Sequence, residues 1–334
     1  MCRNSVLVLV ACSWAESGTP VTARNAMLVL AACSWAESAA PVTASSSAGP
    51  SDGIFAAWAE AVSNFSPGSP VRKVMEAQAA VQVRSAWRHG FTPYFSLDNA
   101  LPDTLIRAVM NEFPQGVADA RGCLRGFEEC FGRDGPTAEF ENSKSMQEHE
   151  HRMGPATQLL FGFLRSFVWV DFLQSTLGLY GLIPDPFLLG SGVQSTVAGG
   201  FLRLHTDFNW NDEMALYRRA NVLIYFNEDW DESFGGHLEL WNRNLTRCAF
   251  ELSPVFGRVV VFRSTDWSYH GHPYPLTTPP GRSRQSIAMY YYTTSRPRIE
   301  CLRGDCNSHH TTRWGEVDCK RCEGQCCTKA CNNE

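Results

Sequence analysis

Two polar residues interrupt an apolar, strand-like stretch near the middle of the chain. Within GGFLRLHTDFNW, residues 199–210, His205 and Asp207 stand two positions apart. Because side chains alternate between the two faces of a β-strand, the imidazole and the carboxylate are expected to point the same way. Burying an unpaired carboxylate in an apolar interior is costly in free energy. The spacing therefore predicts that this pair has a partner.

A second imidazole follows at the end of a later strand-like segment, at His270 in VVVFRSTDWSYHGHP. Two histidines and one carboxylate on one side of a metal form the facial triad of non-haem Fe(II) oxygenases, which leaves coordination positions open. His272 competes for the same role, and we favour His270 because it lies nearer to the strand. A hydrogen-bonded structural pair of His205 and Asp207 is the alternative explanation.

An arginine opens the next strand-like segment, RQSIAMYYY, at Arg284. Burying an arginine in an apolar interior costs free energy that a purely structural role does not explain. Its guanidinium can, however, form two parallel hydrogen bonds with the carboxylate of a ligand. Ser286 shares the face of Arg284. Arg282 is the alternative, but its place in a Pro-Gly loop favours a solvated side chain.

Short β-rich segments position these residues after Gly190. Helical periodicity dominates before Gly190, apart from a strand-like PYFSL, a turn at Asp98-Asn99 and a charged, loop-like stretch over residues 115–155. Several short strands separated by turn residues indicate an antiparallel sandwich or jelly roll. The predicted fold class is mainly β with flanking helices. The strand-like segments are SGVQSTVAGG, FLRLHTDFN, RANVLIYFN, GHLELWN, GRVVVFRS and RQSIAMYYYTT.

Composition narrows the function classes. A chain of 334 residues with 44% hydrophobic residues can bury a substantial core. The formal net charge of −5 lacks the basic excess that nucleic-acid binders carry, so we expect no nucleic-acid partner. No apolar run reaches the roughly 20 residues that span a bilayer, and no transmembrane helix is predicted.

The ordered motifs resemble a known family. Residues 199–297 resemble the double-stranded β-helix, or jelly roll, of the Fe(II)- and 2-oxoglutarate-dependent dioxygenases, and among these the prolyl 4-hydroxylase type. With the N-terminal support helices of that group, the resemblance covers roughly residues 85–297. It rests, in order, on HTD, NVLIYFNEDW, GGHLELW, VVVFRSTDWSYHGHP and RQSIAMYYYT.

The resemblance implies an activity and assigns roles to residues. It implies Fe(II) on His205, Asp207 and His270. It also implies that Arg284 holds the distal carboxylate of 2-oxoglutarate, with Tyr225 as a hydroxyl donor and Ser286 on the same face. Oxygen would be the second cosubstrate, ascorbate an accessory reductant, and a prolyl residue of a protein or peptide the substrate. A free amino acid or another small molecule is the alternative substrate, and a non-catalytic jelly-roll binding module the alternative of another class.

Four regions are expected along the chain. They are a leader and linker over residues 1–53, a helical support region over 54–190, the dioxygenase domain over 191–297 and a Cys-rich tail over 298–334. The leader contains a tandem repeat, because residues 3–23 recur with five differences immediately downstream. It resembles either an unstructured low-complexity segment or a cleaved targeting segment, which leaves the compartment open. The oligomeric state is open as well.

The tail concentrates seven of the thirteen cysteines. Cys319-x-x-Cys322, with Cys326 or Cys327 and Cys331, has the spacing of a zinc site, and His309 and His310 add further candidate ligands. The same cysteines could instead form disulfides in an exported chain, or stay reduced.

Overall fold

The computed structural model describes residues 50–323 together with residues 327, 330 and 331. The predicted leader and linker of residues 1–53 lies outside the described residues as far as residue 49. The predicted fold class is confirmed, because a curled, mostly antiparallel sheet forms a jelly-roll core and helices pack on one of its faces.

Among the described residues, five α-helices precede the jelly roll. Proline occupies the first turn of the second and fourth helices, where its missing N–H costs no helical hydrogen bond. The apolar stretch from Ala156 to Gly178 forms two helices bent by 48°, because Ser166 adopts extended backbone angles. The helices are α1 (Pro50–Phe65), α2 (Pro70–Arg88), α3 (Asp103–Glu112), α4 (Pro155–Leu164) and α5 (Phe167–Leu177).

In the part of the chain that the structure describes, thirteen strands are hydrogen-bonded into one sheet. Its main path runs β1-β10-β7-β12-β5-β11-β8-β9, and the remaining strands pair along its sides. The strands are β1 (Tyr94–Leu97), β2 (Glu129–Phe131), β3 (Glu141–Gln147), β4 (Ile183–Pro184), β5 (Gly192–Thr206), β6 (Trp210–Asn211), β7 (Leu216–Tyr225), β8 (Leu238–Trp241), β9 (Cys248–Leu252), β10 (Val259–Arg263), β11 (His270–His272), β12 (Arg284–Thr293) and β13 (Arg313–Trp314).

Strand β5 joins the two halves of the jelly roll. The sequence predicts two short strands here, but the structure forms one strand from Gly192 to Thr206. Its first part pairs with β12, where Thr196 lies opposite Arg284. Its last part pairs with β11, where His205 lies opposite His270. One strand therefore carries both ends of the predicted site.

Successive side chains of β7 and β12 point to opposite faces of the sheet. Val222 and Ile224 of β7, with Ile287 and Met289 of β12, are buried in one cluster with helices α4 and α5. The opposite faces of the same strands line a cavity inside the jelly roll. Helix packing on one face therefore leaves the other free for polar residues.

Tyr291 ties this sheet to the helices. Its hydroxyl accepts a hydrogen bond from Trp169 Nε1 of α5 at 2.9 Å and donates one to the carbonyl oxygen of Leu164 in α4 at 2.8 Å. Both polar groups are thus satisfied inside the apolar layer, as buried polar groups require.

The region predicted as helical support also contributes strands. Strand β1 confirms the strand expected in PYFSL, but β2 and β3 form a hairpin within the stretch expected to be a loop. Strand β3 then pairs with β5 over much of its length. Its sequence, ENSKSMQ, lacks apolar alternation because its cavity-lining residues include the charged Glu141 and Lys144, and that hid it from pattern analysis. A disulfide between Cys123 and Cys130 braces the hairpin.

The tail of residues 298–334 is disulfide-bonded rather than arranged as a zinc site in its described part. Cys301 pairs with Cys306, and in the zinc-like motif Cys319 pairs with Cys331 and Cys322 with Cys327. The tail also adds β13 to the sheet, where it pairs with β5.

Within the described part of the chain, no single helix is long and apolar enough to cross a membrane. Helices α4 and α5 reach the required length and hydropathy only as a bent pair.

Candidate active site

A cavity of about 230 Å³ lies inside the jelly roll. Its walls are the inner faces of β5, β7, β11 and β12, the β2–β3 hairpin and the tail strand β13. His205, Asp207 and His270 line it, and so do Arg284 and Ser286. The cavity therefore brings together five of the six residues predicted for the site.

The two histidines and the aspartate converge on one point. One ligand atom from each residue lies within 4.8 Å of the others, and all three side chains are buried. Asp207 Oδ1 is 3.6 Å from His205 Nε2, and Oδ2 is 3.7 Å from His270 Nε2. These separations are too long for hydrogen bonds. The donor atoms thus face each other across a gap rather than bonding directly.

Backbone carbonyls orient both imidazoles. His205 Nδ1 donates to the carbonyl oxygen of Arg203 at 2.8 Å, and His270 Nδ1 donates to that of Ser268 at 3.0 Å. A carbonyl oxygen can only accept, so each Nδ1 is protonated and each Nε2 is the ring nitrogen that faces the gap. Such outer hydrogen bonds are the usual way in which proteins orient metal-binding histidines.

Asp207 is held ionised although it is buried. Burial by itself would raise its pKa, but Arg218 Nη2 at 3.1 Å and the two nearby imidazoles outweigh burial and hold the pKa of Asp207 well below its usual range. Asn221 Nδ2 donates to Asp207 Oδ2 at 2.8 Å, and Arg218 Nε donates to Asn221 Oδ1 at 2.9 Å. The carboxylate is therefore charged and fixed in position.

Burial changes the pKa of His270 in the other direction, because the protonated form of a histidine is the charged one. It lowers the pKa of His270 to about 4, although the nearby carboxylate of Asp207 acts to raise it. The imidazole is therefore neutral near pH 7. Two imidazoles oriented through Nδ1, of which that of His270 is neutral, and one ionised carboxylate are a donor set that fits a divalent metal such as Fe(II).

Arg284 forms the basic end of the cavity. Its Nε donates to the carbonyl oxygen of Gly236 at 2.7 Å, and its Nη2 donates to the hydroxyl of Tyr225 at 3.2 Å. Tyr225 is fully buried in an apolar cluster with Leu238 and Leu240. Two contacts thus fix the guanidinium plane, and Ser286 lines the cavity two positions along β12.

Comparison with known proteins agrees with this geometry. The sequence model of the 2OG-Fe(II) oxygenase superfamily matches residues 191–292, the stretch that carries the triad and Arg284. Residues 191–292 are a 2OG-Fe(II) oxygenase domain. This domain identifies the chain as a dioxygenase enzyme, and the superfamily that the domain matches implies Fe(II), 2-oxoglutarate and oxygen. No curated protein matches the chain.

Several solved structures are similar to parts of the chain. A Pseudomonas putida prolyl-4-hydroxylase has 19% identity and a TM-score of 0.42, covering 65% of this chain and 100% of its own. A Trichoplax adhaerens prolyl hydroxylase, in complex with a hypoxia inducible factor peptide fragment, has 18% identity and a TM-score of 0.39, covering 66% and 90%. HygX from Streptomyces hygroscopicus, with nickel, 2-oxoglutarate and hygromycin B bound, has 13% identity and a TM-score of 0.40, covering 63% and 87%.

The structure distinguishes between the two residues of each competing pair, His270 with His272 and Arg284 with Arg282. His272 is buried and lines the cavity, but the cluster of converging ligand atoms in the described residues contains His270 instead. Arg282 lies outside the cavity, where its guanidinium donates to the carbonyl oxygens of Glu228 and Asp229. Of the two histidines, the favoured His270 belongs to the triad. Of the two arginines, the favoured Arg284 lines the cavity.

Several polar or aromatic residues of the cavity were missed by the sequence analysis. Arg218 and Asn221 look like the polar start of the apolar segment RANVLIYFN, and their contact with Asp207 depends on strand pairing. Of the aromatic residues near the triad in sequence, Phe208 lines the cavity, whereas Trp241 is buried in a separate apolar cluster. Other cavity residues come from segments not assigned to the barrel, among them Glu141, Lys144 and Trp314.

Proposed function

We propose that His205, Asp207 and His270 hold Fe(II), and that the oxygenase hydroxylates a C–H bond of a prolyl residue in a protein or peptide. The observation that carries the proposal is the convergence of two imidazoles and one ionised carboxylate in a cavity that Arg284 also lines. Bound there, iron would supply oxygen activation coupled to the decarboxylation of 2-oxoglutarate, with succinate and CO₂ as co-products.

The chain's own residues prepare this site before any ligand binds. The carbonyl oxygens of Arg203 and Ser268 hold Nδ1 of the two imidazoles, so each Nε2 already faces the gap when a metal binds. Arg218 and Asn221 hold the carboxylate of Asp207 in its ionised form. The cost of ordering these side chains is thus met by the fold.

We assign Arg284 to the distal carboxylate of 2-oxoglutarate. A guanidinium held in one plane by Gly236 and Tyr225 presents its remaining N–H groups in the geometry that suits a carboxylate. We assign the hydroxyls of Ser286 and Tyr225 to the support of that carboxylate. In a water-poor cavity a charge-assisted pair of this kind is stronger than in solvent.

The prolyl substrate is supported by the sequence resemblance and by the cavity's apolar surface. Phe208, Leu223, Tyr290 and Trp314 line the space beside the triad. A pyrrolidine ring is apolar and compact, and aromatic faces of this kind offer it contact area without demanding hydrogen bonds.

One observation favours a second substrate class, a free amino acid. Lys144 and Glu141 line the cavity as a loose, mostly buried ion pair, with Lys144 Nζ 3.4 Å from Glu141 Oε2. An α-amino acid carries a carboxylate and an ammonium group, so it could replace each partner's counter-ion with one of its own charges. A prolyl residue within a chain carries neither charge.

Succinate formation tests the proposed function. Purified protein with Fe(II), 2-oxoglutarate, oxygen and ascorbate is assayed alone, with poly-L-proline and with free L-proline. We expect poly-L-proline to stimulate succinate formation and His205→Ala to abolish it. Arg284→Ala should raise the KM for 2-oxoglutarate at least roughly tenfold, because a charge-assisted pair is lost.

The controls separate the substrate from the chemistry. His89→Ala and Arg282→Ala change exposed or outward-facing side chains and should retain wild-type rates. Stimulation by free L-proline alone would select the amino-acid alternative. Absence of both succinate formation and iron binding would contradict the proposal and select a non-catalytic binding module. Omitting ascorbate tests its proposed accessory role.

A further inference from the structure

The Cys-rich tail places a strand directly against the triad. Trp314 of β13 pairs with His205 of β5, and Arg313 pairs with Thr206. The pairing continues beyond the strand, where Gly315 N donates to the carbonyl oxygen of Leu204 at 2.8 Å. The family match ends at residue 292, so this strand is an addition to the oxygenase domain.

The same segment is bonded to the loop after the carboxylate ligand. Asn209, two residues beyond Asp207, accepts a hydrogen bond from His310 N at 2.9 Å through Oδ1. Its Nδ2 donates to the carbonyl oxygen of Ser308 at 3.0 Å, and its backbone N donates to that of His310 at 3.2 Å. We call residues 308–315 the tail segment; it follows the chain of residues 204–209 in the opposite direction.

Alternation along β13 directs particular side chains into the cavity. Thr312 and Trp314, two positions apart, both line it. The indole of Trp314 lies 5.3 Å from the imidazole of His205 and stacks on the ring of Phe140 at 4.7 Å with an interplanar angle of 13°. Trp314 is only half-buried, so part of its surface remains available for contact.

Close packing holds the tail segment in this position. A Cβ atom on Gly315 would come within 2.6 Å of Leu245 and 2.7 Å of Tyr269, so the backbone approaches the barrel as closely as glycine permits. Further along, Asp318 N donates to the carbonyl oxygen of Leu245 at 3.2 Å. Two disulfides beyond residue 318 brace the rest of the described tail.

We propose that the tail segment is a wall of the substrate cavity, and that Trp314 is a specificity-determining residue that packs against the ring of the residue to be hydroxylated. This inference rests on the proposed function, because it assumes that the triad binds metal and that the cavity receives a prolyl ring. An aromatic face adjacent to a metal-binding histidine, stacked on Phe140, is a preformed surface for an apolar ring.

Substrate affinity without turnover tests the role of Trp314. Poly-L-proline and free L-proline are titrated calorimetrically into the full chain with Ni(II) and 2-oxoglutarate under exclusion of oxygen. For whichever probe binds the wild type, we expect Trp314→Ala to raise its Kd at least about tenfold, and Trp314→Phe to have a smaller effect because an aromatic face remains. Trp87→Ala, at an exposed position of α2, is the matched control. A Kd that is unchanged in Trp314→Ala would overturn the assignment.

A second measurement does not depend on the substrate. Ni(II) alone is added to the protein while tryptophan emission is recorded, because a metal held by His205 quenches the nearby indole most strongly. We expect Trp314→Phe to lose most of the Ni(II)-dependent decrease and Trp87→Phe to retain it. A Ni(II)-dependent decrease in emission as large in Trp314→Phe as in the wild type would contradict the placement of the tail segment beside the triad. If Ni(II) causes no decrease in the wild type and calorimetry detects no bound Ni(II), the proposed function fails instead. If neither proline probe binds, the proposal of a prolyl substrate is contradicted. The quenching measurement alone then tests whether the tail segment lines the cavity.

Discussion

At the scale of single residues, the site depends on side chains that never face the open side of the triad. Each oxygen of Asp207 already has one polar partner: Arg218 forms an ion pair with Oδ1, and Asn221 donates a hydrogen bond to Oδ2. Asn221 also accepts from Arg218 Nε, so it links the cation to the carboxylate. The guanidinium in turn lies over the ring of Tyr290, with Cζ 3.3 Å from the ring centroid. The carboxylate is thus oriented by a small network rather than by one contact.

Asn221→Ala should weaken metal binding. The change removes the donor to Asp207 Oδ2 and leaves Arg218 Nε without its acceptor, so the carboxylate becomes less well oriented. Loss of an outer hydrogen bond to a metal ligand costs roughly 10- to 100-fold in affinity. We expect the Kd for Fe(II), measured anaerobically by calorimetry, to rise within that range. Asn244→Ala, at an exposed turn, serves as the control, and an unchanged Kd in Asn221→Ala would contradict the role of the network.

At the scale of elements, helices α4 and α5 stabilise the sheet that carries the cavity. They pack on the outer faces of β7 and β12, whose inner faces hold Arg218, Asn221 and Arg284. Aromatic contacts dominate this layer; Phe172 of α5 makes an edge contact with Phe65 at 4.9 Å. A rigid outer layer therefore fixes the strands from which the polar residues project.

Two phenylalanines of α5 provide a matched test of this packing. Phe172 has no exposed surface, whereas Phe167 is 71% exposed on the same helix. We expect Phe172→Ala to lower the free energy of unfolding by about 3–5 kcal/mol, because it removes a buried ring and leaves a cavity. Phe167→Ala should change it by no more than about 0.5 kcal/mol. Denaturant unfolding measures both, and equal effects would contradict the assignment of α5 to the core.

At the scale of the whole molecule, a buried ionic centre ties the tail to the jelly roll. Asp266 accepts hydrogen bonds from Arg296 Nη1 at 2.5 Å, from Leu302 N at 2.6 Å and from His310 Nε2 at 3.0 Å. Burial by itself would raise the pKa of Asp266, but the donors from His310 and Arg296 outweigh it and lower that pKa far below its usual value. Residues about 30 to 45 positions apart in sequence thus meet at one carboxylate.

This centre predicts how stability depends on pH. A carboxylate whose pKa is lower in the folded state stabilises the fold above its unfolded pKa of about 3.9. That contribution is lost as the pH falls from about 4 towards the lowered pKa. Asp266→Asn should reduce the free energy of unfolding at pH 7 by about 3 kcal/mol, since it leaves Arg296 without its counter-ion. It should also flatten the decline in stability below pH 4. Chemical unfolding at pH 7 and pH 3 measures both effects, with exposed Asp134→Asn as the control. An equally steep decline in Asp266→Asn would refute the assignment.

The sequence by itself determined the features that depend on local periodicity. Alternation along one strand placed His205 and Asp207 on the same face, and the same reasoning placed Arg284 and Ser286 together. Runs of β-rich residues after Gly190 and helical periodicity before it determined the order of elements and the jelly-roll class. These features could be read because apolar side chains repeat wherever an element lies against the core.

The tertiary structure decided what depends on contacts between distant segments. Polar β3 and the two-residue β13 have no apolar alternation, so their place in the cavity wall, with Lys144 and Trp314, follows from pairing with β5 alone. The choice between disulfides and zinc in the tail required the positions of cysteines relative to one another. Which strands and which cysteines pair depends on the geometry of the whole fold. A single sequence reflects that geometry only indirectly.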